Sequence, residues 1–177
     1  IIPEMMEYFD VRESQWPNGD FNPDAIPWMS WQYPQWNHNG SVAVPVAQHS
    51  HSVTYVSSMH PECSRGYNNA TGKVEKEWAA GANFQTMWDA VHEKKDSICN
   101  VLITSFNEWM AIKYKNEANE VFFVDVYNPE FSRDIEMMKG GYKDNFYMQL
   151  VENVRKFKFL EGSPYQYQNK TIDIYQN

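Results

Sequence analysis

Long apolar runs are missing from this chain. No stretch approaches the ~18–20 consecutive apolar residues that a membrane-spanning helix needs, and the mean hydropathy is −0.66. Basic charge is scarce as well: 15 Lys and Arg stand against 23 Asp and Glu, a net charge of −8. An acidic surface of this kind repels phosphate backbones and anionic lipid, so nucleic acid and membrane surfaces are not expected partners. Cysteine is nearly absent, and Cys63 and Cys99 permit at most one internal disulfide; sequence alone leaves open whether they meet or serve as small buried thiols. No internal repeat or low-complexity tract occurs. Neither a Gly-rich phosphate cradle after a strand nor a nucleophile elbow is found. The opening Ile1-Ile2-Pro3 has no initiator Met, basic region or apolar leader behind it, which suggests a processed product or a piece of something longer.

What is abundant is aromatic side chain, 16% of 177 residues. That length suits one domain with a sizeable core. Phe84, Met87, Trp88 and Val91 recur at i, i+3, i+4 and i+7 and predict a helix over 82–95. Phe146, Leu150, Val154 and Phe157 do the same for 144–159, with Asp144 or Asn145 at the start, Arg155, Lys156 and Lys158 at the end, and Gly162 as a stop. The best strand is 98–106, and 121–126 is a second. The run 41–47 reads as a strand covered on both faces, although Pro45 counts against a central position. Shorter strands are expected at 5–11 and 26–31, and a long polar loop at 48–81. Strands alternating with helices point to an α/β architecture with a largely parallel sheet.

In such folds the polar residues at the carboxyl ends of strands form the site. That rule selects Arg12-Glu13, Gln48-His49, Asn107-Glu108-Trp109 and the acidic stretch from Asp125 to Glu136. A Glu directly after a buried strand, beside aromatic rings, loses solvation, so its pKa can rise toward that of a general acid. Asn107 can hold a sugar hydroxyl, and indole and phenol faces stack on pyranose C–H faces. The alternative is a Glu that caps the next helix or pairs with Arg. The acidic stretch reads as a counter-carboxylate source, as a calcium loop without regular spacing, or as a loop fixed by Arg133 pairing with Asp134 or Glu136. His49, His51, His60 and Cys63 follow no recurrent zinc spacing, so no metal is expected. His49 reads as a hydrogen-bond donor to substrate or as a buried, backbone-satisfied His. Trp16, Trp28, Trp31 and Trp36 crowd the first forty residues, as core or as sugar platforms. Three sequons, at Asn39, Asn69 and Asn169, weakly favour an extracytoplasmic chain.

The segment Ile103-Thr104-Ser105-Phe106-Asn107-Glu108-Trp109 resembles the Asn-Glu-Trp strand end of glycoside hydrolases of the family 99 and family 71 kind. The block from Asn128 to Lys158, opening Asn-Pro-Glu-Phe-Ser-Arg-Asp-Ile-Glu, closely resembles a group of bacterial, often polysaccharide-utilising, family 99-like proteins. Val46-Ala47-Gln48-His49 and Ser64-Arg65-Gly66-Tyr67-Asn68-Asn69 are similar to the preceding strand and loop of that group. The resemblance spans roughly residues 5–160 and implies the later half of a (β/α)8 barrel. The family 99 pattern carries a second catalytic Glu three residues after the first, where this chain has Ala111. Glu108 is therefore carried over as a catalytic carboxylate, and its partner is not.

The expected fold is thus α/β, the second half of a (β/α)8 TIM-type barrel over 1–160, with 161–177 a tail or the start of a following domain. A whole barrel takes ~250 residues, so the expected partner is the missing N-terminal half, in the same or a separate chain. The expected function is hydrolysis of a glycosidic bond in a poly- or oligosaccharide, without a cofactor; the alternative is a non-catalytic carbohydrate-binding protein on the same scaffold. Glu108 would act as acid or base and one of Asp125, Asp134 or Glu136 as its counterpart. Asn107, Trp109, His49, Arg65, Arg12, Trp16 and Tyr127 would contact the sugar.

Overall fold

The computed structural model describes residues 3–17, 19–49, 60–108, 110–115 and 118–158. Its centre is one strand–helix–strand unit. Strand β1 (Asn37–His38) turns through Asn39 and Gly40 into β2 (Ser41–Val44). Both turn residues have positive φ, 49° and 92°, which is the two-residue hairpin geometry that Asn-Gly favours. Beyond β2 come a small hairpin, β3 (Tyr67–Asn68) with β4 (Lys73–Val74), and helix α1 (Ala82–Glu93). Strand β5 (Asn100–Ile103) then pairs parallel with β2, Val44 opposite Ile103, so the sheet order is β1-β2-β5. A second hairpin, β6 (Lys113–Lys115) and β7 (Val121–Phe123), precedes helix α2 (Asn145–Phe157).

The two helices form where their apolar periodicity predicts. Phe84, Met87, Trp88 and Val91 bury the face that packs on Val42, Val44 and Val46. Phe146 joins that core fully buried, while Leu150, Val154 and Phe157 pack against its rim. Asp144 occupies the N-cap of α2, with no side-chain cap bond. The helices meet where Gly81, at φ 70°, starts α1: Gln149 donates Nε2 to the Gly81 carbonyl at 3.1 Å.

Two expected strands take other forms. Residues 3–7 wind into a 3₁₀ turn with every side chain exposed, because among the described residues no neighbouring strand pairs with the β-prone Tyr8, Phe9 and Val11. Residues 26–31 make only an isolated bridge, Ser14 to Ile26, and Ser30 spends its hydrogen bonds on the Gln35 amide instead of a ladder. The stretch expected as a long loop carries 3₁₀ turns at Pro61–Cys63 and Trp78–Ala80 besides the β3–β4 hairpin. Cys63 is buried, Cys99 exposed, and no disulfide joins them.

No closed barrel forms among the described residues; the sheets are of three, two and two strands. The expected tail at 161–177 lies outside the described residues, as does Gly162. No helix among them is long and apolar enough to cross a membrane.

Candidate functional site

Strands β2 and β5 run parallel and in register, so their carboxyl ends lie side by side. Past β2 the chain reaches Gln48-His49; past β5 it reaches Thr104 to Glu108. The turn after β7 folds back over both. Its first member, Asp125, adopts a left-handed backbone at φ 67°, a conformation that Asp tolerates better than most residues. Val126 bridges to Ser132 to close the turn. Beyond it, the Phe106 carbonyl accepts from the amides of Ile135 at 2.9 Å and Glu136 at 2.8 Å.

Arg133 lies at the middle of this group. One guanidinium nitrogen donates to Asp125 Oδ2 and, at 3.3 Å, to Glu108 Oε2. The Arg133 and Asp125 side chains are both buried, whereas Glu108 keeps 32% of its side chain exposed. The other Asp125 oxygen lies 3.7 Å from His49 Nε2. The result is a chain of charge, His49–Asp125–Arg133–Glu108, strung across the two strand ends. Partial burial pushes the Glu108 carboxyl above the ordinary Glu range; Arg133 opposes that shift, and the charges of Asp125 and Asp134 add to it.

Two indoles flank the group. Trp31 stacks on His49, with centroids 5.6 Å apart and planes 19° apart, and Arg133 lies 5.9 Å from the Trp28 ring centre. The Trp31 loop is fixed by Gln35, whose Nε2 donates to the carbonyls of Ser30 and Gln32 and, at 3.1 Å, to Gln48 Oε1. Gln48 in turn reaches Asn69, which donates to Asn83 at 2.8 Å and to Thr86 at 2.9 Å. An amide network thus ties the indole platform to the first turn of α1.

The other two acidic residues are held from β5. Ser105 Oγ donates to Asp134 Oδ1 at 3.0 Å, and Asn107 Nδ2 donates to Glu136 Oε2 at 3.2 Å. Arg133 therefore pairs with Asp125 and Glu108, not with the adjacent Asp134 or Glu136 that sequence proximity favoured. Local separation misleads here because the turn reverses and presents alternate side chains to different neighbours.

Arg65 is completely buried. Its guanidinium carbon lies 4.4 Å from the ring centres of both Tyr142 and Phe146. Burial pushes its pKa down to about 10, against the pull of the Tyr142 hydroxyl and of Asp134. Such a position acts on neighbours through charge and packing rather than by touching a sugar. Arg12 is exposed, pairs with Asp10, and lines a cavity of about 320 Å³ with Ser41 and Asn100 at the amino ends of β2 and β5, the end away from Glu108. Trp16 is exposed, and its carbonyl receives Gln15 and Gly19. Tyr127 packs edge-on against Phe122 and Phe131. Trp109 and His51 lie outside the described residues. Among the described residues no group of three or more His, Cys, Asp and Glu is arranged to hold a metal ion.

Ser105 was not legible as a site residue, since it acts on Asp134, a partner remote in sequence, and nothing in the sequence marked Gln35, whose amide bonds link the Trp31 loop to Gln48. The one usable signal for Arg133 was its position as the sole base between Asp125 and Glu136.

Comparison of the chain with known protein families, with curated proteins and with solved structures returns no match. The link to family 99-like hydrolases therefore rests on the short motifs around Asn107-Glu108-Trp109 and Asn128 to Lys158.

Proposed function

We propose that this chain is the later half of a (β/α)8 glycoside-hydrolase-like barrel and that its site hydrolyses a glycosidic bond in a poly- or oligosaccharide. The observation that carries the proposal is Glu108 itself: a half-buried carboxyl past a parallel strand end, with a raised pKa, beside a buried ion pair and an indole platform. Burial that favours the neutral form suits a carboxyl to give a proton to the departing glycosidic oxygen. A second carboxylate on the far side of the anomeric carbon completes the pair that most glycosidases use. Asn107, His49 and the Trp28 and Trp31 faces supply hydrogen bonding and stacking for the sugar. The β2–α1–β5 unit followed by α2 has the order that repeats in a (β/α)8 barrel. The sequon residue Asn39, exposed at the tip of the β1–β2 hairpin, fits an extracytoplasmic location.

The test is reducing-end release from starch, dextran, yeast mannan, xylan, β-glucan and pectin, comparing wild type with Glu108→Gln. We expect release by wild type and a loss of roughly 10³-fold in the variant, the size that removal of an essential acid produces. Undiminished release by the variant would take Glu108 out of the chemistry. A second possibility, a sugar-binding protein without catalysis, is favoured by one feature, Ala111 where the family 99 pattern has its second Glu. It predicts retention of polysaccharide in affinity electrophoresis with no release from any of the six.

A further inference from the structure

Arg133 meets two carboxylates with one nitrogen. Its Nη2 donates to Asp125 Oδ2 and, at 3.3 Å, to Glu108 Oε2, while its Nε is buried and has no hydrogen-bond partner among the described residues. We propose that Arg133 is the positioning residue for Glu108 and that Asp125, seated on the same nitrogen, sets how firmly Glu108 is held. The part this plays in catalysis rests on the hydrolase reading above; the hold itself does not.

Asp125 and Arg133 form a unit without any help from Glu108. They stand at the two ends of one turn. The Asp125 carbonyl accepts from the Arg133 amide at 3.3 Å, the Val126–Ser132 bridge lies between them, and Asn128 Oδ1 accepts from the amides of Glu130 and Phe131 at 2.9 Å each. Glu130 anchors the turn from outside: its carbonyl accepts from the Arg65 amide at 3.1 Å and its Oε1 from Ser64 Oγ at 2.8 Å. Both side chains of the pair are buried, so separating them would strand a charge away from water. Glu108 comes from a different element, the chain beyond β5, and is only half-buried. Its 3.3 Å contact is longer than the ~2.7–2.9 Å of a charge-assisted bond. The guanidinium is therefore seated on Asp125 and reaches Glu108 at the limit of its grip.

The other charged groups at this place are Asp134, which bears on Glu108 from beyond the turn and accepts from Ser105; Glu136, which accepts from Asn107; and, from the end of β2, His49, which faces the second oxygen of Asp125 at 3.7 Å. Arg133 is the cation within hydrogen-bond reach of Glu108, and the opposing pulls on the Glu108 proton agree with that contact. When Glu108 gives its proton to the departing oxygen, the carboxylate left behind is met by a cation already in place. Without the Asp125 charge, Arg133 would close on Glu108, and Glu108 would stay ionised to lower pH and donate less readily.

The experiment uses the full chain, with glutamate labelled by ¹³C at Cδ and arginine by ¹⁵N. Wild type, Glu108→Gln, Asp125→Asn and the double variant Asp125→Asn with Arg133→Met are titrated by NMR, and Glu108→Gln identifies the Glu108 signal. Asn tolerates the left-handed backbone at 125, and the double variant strands no buried charge. We expect the Glu108 midpoint to fall in Asp125→Asn and to rise again when Arg133 is also removed; a merely structural role does not move it in opposite directions. In wild type the Arg133 Nη signals should shift at the Glu108 midpoint, and in Glu108→Gln they should not, a readout that needs neither Asp125 variant. Arg133 signals blind to Glu108, or a midpoint that is unmoved or raised in Asp125→Asn, overturn the proposal. Release from the six polysaccharides named above is followed against pH in the same proteins. Its alkaline limb should move with the Glu108 midpoint, through kcat rather than KM. Release whose limb ignores that order overturns the catalytic part and leaves the hydrolase intact. Absence of release by wild type removes the hydrolase reading and with it the catalytic part, and the titrations still decide the hold of Arg133 on Glu108.

Discussion

At the scale of single residues, Glu108 is governed by two opposed forces: loss of water and proximity to Asp125 and Asp134 disfavour its charge, and Arg133 favours it. Desolvation is the larger, so the folded-state pKa lies above that of the unfolded chain. A group shifted in that direction contributes its full stability below the unfolded pKa, and the contribution is lost as pH rises through the folded value. Glu108→Gln has no such titration. The melting temperature of the variant should therefore gain on wild type over the interval just above the ordinary Glu range of about pH 4. A thermal melt of both proteins across that interval checks it; a gap that moves the other way would mean that Arg133 dominates. Activity should fall over the same interval, since the donor is the protonated acid.

At the scale of elements, the junction of the two helices sets the tightest constraint. An added Cβ at Gly81 would lie 2.4 Å from Gln149 Oε1 and 2.9 Å from Phe146 Cε1, on a backbone with φ 70°. Gly81→Ala should cost about 2 kcal/mol, combining a left-handed backbone penalty with overpacking, and lower the melting temperature by roughly 4–8 °C. An unchanged melt would show that the start of α1 can move away from α2. These helices were legible because four apolar residues at helical spacing suffice to define a buried face, and in α1 all four are buried. Strand β5 was legible from its apolar run, although it spans only Asn100–Ile103, is partly exposed, and ends five residues short of Glu108 where the strand was expected to run to 106. The segments at 5–11 and 26–31 were not, because aromatic and β-branched content signals a strand only where a partner edge exists. The clamp of Arg133 on Asp125 and Glu108 was illegible for a related reason: it depends on how a left-handed turn at Asp125 redirects side chains, which no spacing rule encodes.

At the scale of the whole molecule, the sheet β1-β2-β5 ends on β5, and nothing pairs with its outer edge among the described residues. Leu102 in that strand and Phe106 beyond its end are 37% and 50% exposed, and Ile112, Val121 and Phe123, just before and within the β6–β7 hairpin, are exposed as well. An open parallel edge that carries exposed large apolar side chains is a template for another strand. In a (β/α)8 barrel that edge is closed by the next strand of the ring. The isolated chain should therefore self-associate as its concentration rises, despite a net charge of −8 that opposes association. Sedimentation velocity over a dilution series reads this directly. Leu102→Thr with Phe106→Ser should weaken the association without altering the buried face of α1, so the helical signal in circular dichroism is expected to persist. A chain that stays monomeric at high concentration and melts in one sharp transition would mean that its core is complete without another half, and the barrel proposal would fall. The acid at Glu108 would then need a different scaffold to explain it.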